Sequence, residues 1–83
     1  LVRCLAVEMA PVRVNVVSPG TVDTAMFDWM GEEKQDKLAA MTASHLIKRA
    51  GTSEEVAQGI LFVMQNGFVT GTTIDVDGGR ILS

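Results

Sequence analysis

Apolar residues at the start of the chain recur at helical spacing and then give way to a run of β-branched residues. The spacing predicts a helix over residues 1–10. One face of this helix carries Val2, Leu5, Ala6 and Met9. Pro11 ends the helix, because proline disfavours helical geometry at the residue before it. The run V-R-V-N-V-V predicts a largely buried strand over residues 12–17, which the following Ser-Pro-Gly triplet closes with a turn.

The pattern is least regular over residues 21–50. A helix is predicted over residues 32–43, where Glu33 and Lys37 form a favourable pair four positions apart. Ahead of it, a predicted loop carries four large apolar residues, Met26, Phe27, Trp29 and Met30. These four fit either an ordinary core or a flexible, Met-lined substrate lid, because loops at the ends of strands commonly carry binding residues.

The clearest helical signal begins after Gly51. Thr52 and Glu55 match the T-x-x-E capping box, in which each side chain accepts a bond from the other residue's main-chain amide. Asn66-Gly67 predicts a left-handed cap at the other end. Between these signals runs a broad apolar stripe made of Val56, Ala57, Ile60, Leu61, Val63 and Met64. A stripe of this width predicts burial on two sides of the helix.

A second strand is predicted over residues 72–76, with Ile74 and Val76 on one face and an Asp-Gly-Gly turn behind it. A strand, a long helical crossover and a second strand imply parallel pairing through a right-handed connection. The pattern therefore predicts an α/β fold with parallel strands. Two strands cannot cover the predicted helices, so the fold is expected to need more strands than these residues supply.

Composition indicates that part of the surface packs on further protein. The chain has 83 residues, of which 47% are hydrophobic and 20% are charged. It therefore carries more apolar surface than a domain of this size buries easily. The chain lacks an initiator Met and starts within the first predicted helix, so upstream sequence is expected. That sequence or another subunit would cover the remaining apolar surface.

Charge and cysteine content narrow the classes of partner. The formal net charge of −3 gives no basic footprint for nucleic acid or an anionic membrane surface. No apolar run approaches the roughly 20 residues of a membrane span. The single cysteine, Cys4, excludes an internal disulfide and fits a reducing cytoplasm, and it is expected to be a small buried hydrophobe. His45 is the only histidine, has no metal-ligand spacing to other residues, and is expected at a surface or interface.

Three segments carry a resemblance to a known family. Residues 5–24 read L-A-V-E-M-A-P-V-R-V-N-V-V-S-P-G-T-V-D-T and are similar to the end-of-helix, sixth strand and Pro-Gly loop of the short-chain dehydrogenase/reductase family. Residues 48–57, K-R-A-G-T-S-E-E-V-A, resemble that family's R-x-G-x-x-x-E-V/I-A helix start. Residues 68–79, F-V-T-G-T-T-I-D-V-D-G-G, resemble its last strand and V-D-G-G turn. The three segments occur in the family's order and at similar separations.

The resemblance implies that the Pro-Gly loop holds the nicotinamide end of NAD or NADP. The implied cofactor-binding residues are Pro19, Gly20, Thr21, Val22 and Thr24. The backbone of Val22 and the hydroxyl of Thr24 would face the carboxamide, which offers one acceptor and two donors. From the spacing alone, Thr21, Asp23 and Thr24 would merely cap a turn or a helix.

The family's catalytic Tyr-x-x-x-Lys pair has no counterpart here, because the chain contains no tyrosine. A Gly-rich strand-to-helix turn for the pyrophosphate is also missing. No catalytic residue and no metal ligand is therefore assigned, and the isolated chain is expected to be inactive. Arg49 is expected to donate to loop carbonyls, and Asn15 to bond to neighbouring backbone.

Together with the resemblance, the sequence predicts an α/β fold that is the C-terminal part of a doubly wound parallel sheet. Residues 1–83 would form the C-terminal segment of one NAD(P)-binding Rossmann-like domain, with the N-terminal half absent. The complete protein would be a cytoplasmic NAD(P)-dependent oxidoreductase that interconverts an alcohol and a carbonyl and forms a homo-oligomer, a dimer or tetramer. This segment would supply the Pro-Gly loop, the substrate lid and part of the subunit interface. The alternatives are a truncated, non-catalytic assembly or interaction module, and an unrelated small helix-rich binding protein.

Overall fold

The computed structural model describes residues 1–82, apart from the side chains of residues 25–27 and 81. Over these residues the helices are α1 (Val2–Met9), α2 (Lys34–Thr42) and α3 (Ser53–Gln65). The strands are β1 (Val16–Pro19), β2 (Val22–Asp23), β3 (Gly51–Thr52) and β4 (Thr73–Val76). Two 3₁₀ helices, Ala25–Glu33 and Arg80–Leu82, complete the order. The predicted helices at 1–10 and 32–43 and the strand at 72–76 are thereby confirmed within two residues at each end.

The strands form two parallel pairs. β1 pairs with β4 in a register that sets Pro19 opposite Val76, and β2 pairs with β3, where Val22 lies opposite Gly51. This confirms the predicted parallel arrangement across the helical crossover and the α/β class of the fold. Because paired parallel strands run in the same direction, the carboxyl ends of β1 and β4 lie at one edge.

Helix α3 packs on the β1–β4 pair through a glycine. A Cβ atom added at Gly59 would lie 2.9 Å from Cγ2 of Val76 and 3.6 Å from Cγ1 of Val17. Glycine inside a helix costs about 1 kcal/mol relative to alanine, but here the missing side chain lets the helix backbone approach the strands closely. The face of α3 that contains Gly59 therefore lies against the β1–β4 pair, a position that the helical pattern did not single out.

The carboxyl end of α3 differs from the prediction. Asn66 is extended, with φ −88° and ψ 99°, and so does not form the expected left-handed cap. The Arg13 guanidinium instead donates to carbonyl oxygens at this end, those of Val63 (2.6 Å), Met64 (3.0 Å), Asn66 (3.1 Å) and Val69 (3.2 Å). A cation at this position satisfies carbonyls that have no partner within the helix and complements the negative end of the helix dipole.

Strand β1 begins four residues later than the predicted start at residue 12. The preceding residues bond to the loop after α3 instead of to a neighbouring strand. Gly71 N–H donates to the carbonyl of Val14 (2.8 Å), and Asn15 both donates to the carbonyl of Val69 (3.0 Å) and accepts from Thr72 N–H (3.2 Å). The expectation that Asn15 bonds to backbone is confirmed.

The described residues bury few large apolar side chains. Leu38 on α2 and Val63 on α3 are 3% and 9% exposed, whereas Phe68 is fully exposed. Helix α1 buries none of its residues, and Cys4 on it is exposed. The expectation of a buried Cys4 was therefore wrong, because nothing in the described structure covers that face of α1. The exposed apolar surface is consistent with the expectation that further protein covers part of this chain.

None of the helices within residues 1–82 has the length and apolarity needed to cross a membrane.

Replacing Arg13 by methionine is expected to lower the free energy of unfolding by about 1–3 kcal/mol, because the carbonyls at the end of α3 lose a charged donor. Urea unfolding followed by circular dichroism measures this loss. Arg3→Met, which removes an exposed arginine from α1, is the matched control and is expected to change stability by no more than about 0.5 kcal/mol. Equal losses for the two variants would mean that water satisfies the α3 carbonyls as well as Arg13 does.

Candidate functional site

The loop that follows β1 is fixed against the end of β4 by a glycine. Gly20 N–H donates to the carbonyl of Val76 (3.0 Å). A Cβ atom at Gly20 would lie 2.8 Å from both Cα and Cβ of Asp77, closer than side-chain carbons pack. Glycine is therefore required at this position by the close approach of two backbones. The Pro-Gly loop accordingly starts at the shared carboxyl edge of β1 and β4, which is the edge where open α/β sheets bind ligands.

The next residues of the loop are held by main-chain bonds to the segment before α3. Gly51 N–H donates to the carbonyl of Thr21 (2.9 Å), and Val22 and Asp23 form β2 against β3. The side chains of Thr21 and Val22 are half-buried. Main-chain hydrogen bonds therefore hold the loop against β4 at Gly20 and against β3 from Thr21 to Asp23.

Thr24 lies directly before the 3₁₀ helix Ala25–Glu33, in extended conformation. Its side chain makes no capping hydrogen bond to that helix. The carboxylate of the preceding residue, Asp23, lies 2.8 Å from the Lys34 ammonium, and the hydrogen bond from Lys34 lowers the pKa of Asp23. Of the alternative in which Thr21, Asp23 and Thr24 merely cap a turn or a helix, the part that concerns Thr24 and this helix is therefore wrong.

A cleft with a volume of about 310 Å³ opens at this edge. Thr21 lines it, together with Arg49, Glu55 and the backbone turn Asp77-Gly78-Gly79. The other expected cofactor-binding residues do not line the cleft, although main-chain bonds place Gly20 and Val22 next to Thr21. The volume is at the lower end of the range for small-molecule sites, and it is enough for one ring with its substituents.

The Asp-Gly-Gly turn forms one wall of the cleft. Gly78 and Gly79 have φ values of 64° and 83°, which favour glycine, and Asp77 Oδ1 accepts from Gly79 N–H (2.9 Å). A Cβ atom at Gly79 would lie 2.7 Å from Cβ and Cγ of Leu46. The turn therefore packs on the segment that follows α2. Glycine is required at both positions by the positive φ values, and at Gly79 also by the close approach of Leu46.

His45 lies in the segment after α2 on which the Asp-Gly-Gly turn packs. It is only 4% exposed, and its Nδ1 lies 3.9 Å from the position that a Cβ atom of Gly78 would occupy. The expected surface or interface location of His45 was wrong, because the turn folds over the residues after α2. No group of three or more metal-ligating side chains occurs among the described residues.

An ion pair holds the start of α3 beside the cleft. Arg49 donates to both carboxylate oxygens of Glu55, at 2.8 Å and 2.9 Å. The capping box is confirmed, since Glu55 accepts from Thr52 N–H and Thr52 Oγ1 accepts from Glu55 N–H. The bonds from Arg49 and then from the Thr52 backbone lower the pKa of Glu55 to about 2. Arg49 also donates to the carbonyl of Ala50, as expected, but the pairing with Glu55 was not predicted.

The expected lid residues form a 3₁₀ helix, Ala25–Glu33, and not a loop. We call this range the lid segment. Trp29 is 75% exposed and Met30 is half-buried, while the side chains of Met26 and Phe27 lie outside the described part of the structure. Lys34, at the start of α2, lies 2.6 Å from a carboxylate oxygen of Asp28 in this segment. No signal in the sequence marked Lys34, because its partners are set by the fold.

Comparison with known proteins finds a family model and several relatives that match most of this chain. A family model described as enoyl-(acyl carrier protein) reductase matches residues 1–80. The short-chain dehydrogenase/reductase ATR9 of Stachybotrys chlorohalonatus is 42% identical over 80 residues, which make up 96% of this chain and 32% of that protein. The chain spans about a third of the length of the curated relatives it matches.

Solved structures agree with this result. The MalC reductase/Diels-Alderase from Malbranchea aurantiaca has a TM-score of 0.87 at 37% identity, covering 99% of this chain and 32% of that one. A small-chain dehydrogenase crystallised in complex with NADPH has a TM-score of 0.80 at 41% identity, covering 99% of this chain and 38% of that one.

Glu55→Gln is expected to destabilise the protein at neutral pH, because it removes the charge that Arg49 and Thr52 N–H bind. The pKa of Glu55 is lowered from 4.5 to about 2. The stabilisation is therefore complete above pH 4.5 and is lost as the pH falls toward about 2. Urea unfolding of wild type and variant across this range should show their difference shrinking with falling pH. Glu54→Gln removes a charge from the same turn and is the control; a pH-independent difference for Glu55→Gln would contradict the assignment.

Proposed function

Because the chain belongs to the short-chain dehydrogenase/reductase family, we propose that it is part of an NAD(P)-dependent oxidoreductase that interconverts an alcohol and a carbonyl. In this proposal the chain is the C-terminal segment of a Rossmann-like domain and supplies the nicotinamide-side loop and the substrate lid. The observation that carries the proposal is the position of the Pro-Gly loop at the shared carboxyl edge of parallel β1 and β4.

The groups that the loop presents fit a nicotinamide carboxamide. That amide has one acceptor and two donors. The bond that closes this end of the β2–β3 pair runs from Gly51 N–H to the carbonyl of Thr21, and so it uses neither main-chain group of Val22. The Thr24 hydroxyl is not used in capping. A backbone group of Val22 and the hydroxyl of Thr24 would then orient the amide.

Orientation is the contribution of this chain to the reaction. The nicotinamide ring, when bound, supplies or accepts a hydride. Holding its carboxamide at Val22 and Thr24 would restrict rotation of the ring and thereby select the face presented to the substrate. Trp29 and Met30 of the lid segment would contact the substrate carbon skeleton and exclude water from the reacting atoms.

Proton transfer is proposed to depend on residues outside this chain. The 83 residues include no tyrosine, which is the residue that the family resemblance implies as proton donor to the alkoxide. They also include no Gly-rich turn for the cofactor's phosphates. The 83 residues by themselves are therefore proposed to be inactive, with hydride transfer occurring only in the complete protein.

Thr24→Ala is expected to weaken productive cofactor binding by about 1–2 kcal/mol, the scale of one lost hydrogen bond. Cofactor KM, kcat and a direct Kd from nicotinamide fluorescence in the complete protein measure it. Thr24→Ser keeps the hydroxyl and should retain nearly wild-type values, which separates loss of the hydrogen bond from loss of the methyl group. Unchanged cofactor KM, kcat and Kd in Thr24→Ala would remove Thr24 from the site.

The exposed stripe of α3 is proposed to form part of a homo-oligomer interface together with β4. Ile60, Leu61 and Met64 are all exposed on this helix, and apolar patches of this kind mark interaction surfaces. Leu61→Asp is expected to convert the oligomer of the complete protein into smaller species in light scattering. Gln58→Asp, an exposed polar position on the same helix, should leave its mass unchanged. A monomeric wild type at micromolar concentration would end this proposal.

A further inference from the structure

One lysine connects the nicotinamide-side loop to the lid segment. Lys34 Nζ lies 2.8 Å from Oδ1 of Asp23 and 2.6 Å from Oδ1 of Asp28. Asp23 is the last residue of β2 and directly precedes Thr24, whereas Asp28 lies inside the lid segment. The Lys34 side chain is 19% exposed, so its charge is screened by water less than that of a surface lysine. A single ammonium group therefore bridges the two parts of the proposed site.

The bridge also balances two negative charges. Both carboxylates lie within hydrogen-bond distance of the same nitrogen, and would repel each other without it. The pKa of Lys34 is raised, first by its hydrogen bond to Asp23 and then by that to Asp28, which agrees with the geometry. Loss of the ammonium would therefore remove an attraction and leave a repulsion that drives the lid segment away from β2.

The backbone that leads from the lid segment into α2 does not form one continuous helix that could hold the lid segment in place. Gly31 has φ 61° and ψ −133°, which interrupts the helical path inside the lid segment, between Asp28 and α2. Lys37, one turn further along α2, pairs with Glu33 at 3.5 Å and lies 6.0 Å from the Trp29 ring centroid. Those contacts connect α2 to the lid segment alone. Among the described ion pairs, only those of Lys34 connect the lid segment to β2.

We infer that Lys34 is a positioning residue that holds the lid segment against the end of β2 and so sets the distance between the lid and Thr24. The part of this inference that concerns substrate rests on the proposed function. The part that concerns the attachment of the lid segment does not, and the two parts are tested separately.

Limited proteolysis with chymotrypsin tests the attachment in the complete protein, with cleavage inside the lid segment at Phe27 and Trp29 identified by mass. Lys34→Gln is expected to raise the cleavage rate about three- to tenfold, the range for loss of a partly screened ion pair. Lys37→Gln removes a lysine from the same helix, and with it two weak contacts to the lid segment, without breaking the bridge to β2. It should raise the cleavage rate clearly less than Lys34→Gln does. Lys34→Arg should restore slow cleavage, because a guanidinium can bond to both carboxylates.

Asp28→Asn provides a second variant that does not threaten folding, because this side chain is mostly exposed. It breaks only the lid side of the bridge and should reproduce the fast cleavage. Equal cleavage rates in Lys34→Gln, Asp28→Asn and Lys37→Gln would overturn the inference.

Steady-state kinetics then tests the consequence for substrate. In Lys34→Gln the substrate KM is expected to rise about three- to tenfold while kcat changes less than about twofold, because a displaced lid weakens binding more than chemistry. A fall in kcat at constant KM would overturn the role assigned to Lys34. If the wild type reduces no carbonyl with either nicotinamide cofactor, the proposed function fails, and the cleavage contrast still decides whether Lys34 holds the lid segment.

Discussion

The close approach of Gly20 to the end of β4 is the constraint on which the candidate site depends. Parallel pairing brings the carboxyl ends of β1 and β4 to one edge, and the loop after β1 can turn there only because no side chain separates it from Asp77. The same turn directs Thr21 and Val22 toward the segment that contains Gly51. A side chain at position 20 would push the two backbones apart and move every group that the loop presents.

Around this edge, charged side chains connect neighbouring segments of the fold. Arg49 joins the residues before β3 to Glu55 on α3, and Lys34 joins the lid segment to β2. Exposed ion pairs contribute modestly to stability. Their importance here is geometric, because each one sets the position of a segment that borders the cleft or the Pro-Gly loop.

Much of the apolar surface of the described residues is exposed. Leu38 and Val63 are the buried large apolar residues of the described structure, while α1 and much of α3 remain uncovered. A unit of this size buries a smaller share of its surface than a full domain does. Solved structures of the same fold are about three times as long as this chain.

The sequence by itself determined the features that depend on local spacing. The capping box of Thr52 and Glu55, the pair of Glu33 with Lys37, helix α1 and strand β4 all follow from contacts between residues close in sequence or from a regular period. The three segments that resemble the family could also be recognised from the sequence alone, because the residues of each motif are separated by fixed numbers of positions.

Only the tertiary structure decided which distant groups meet. Arg13 replaces a local cap by bonding to carbonyls about fifty residues away, and His45 is buried because the Asp-Gly-Gly turn folds over it. The late start of β1 and the bridge made by Lys34 likewise depend on contacts between different elements of the fold. A side chain that reaches across the fold has no fixed separation in sequence from its partner, because the packing of helices on strands sets that distance. The sequence therefore determined the local elements, and tertiary packing determined the contacts between them.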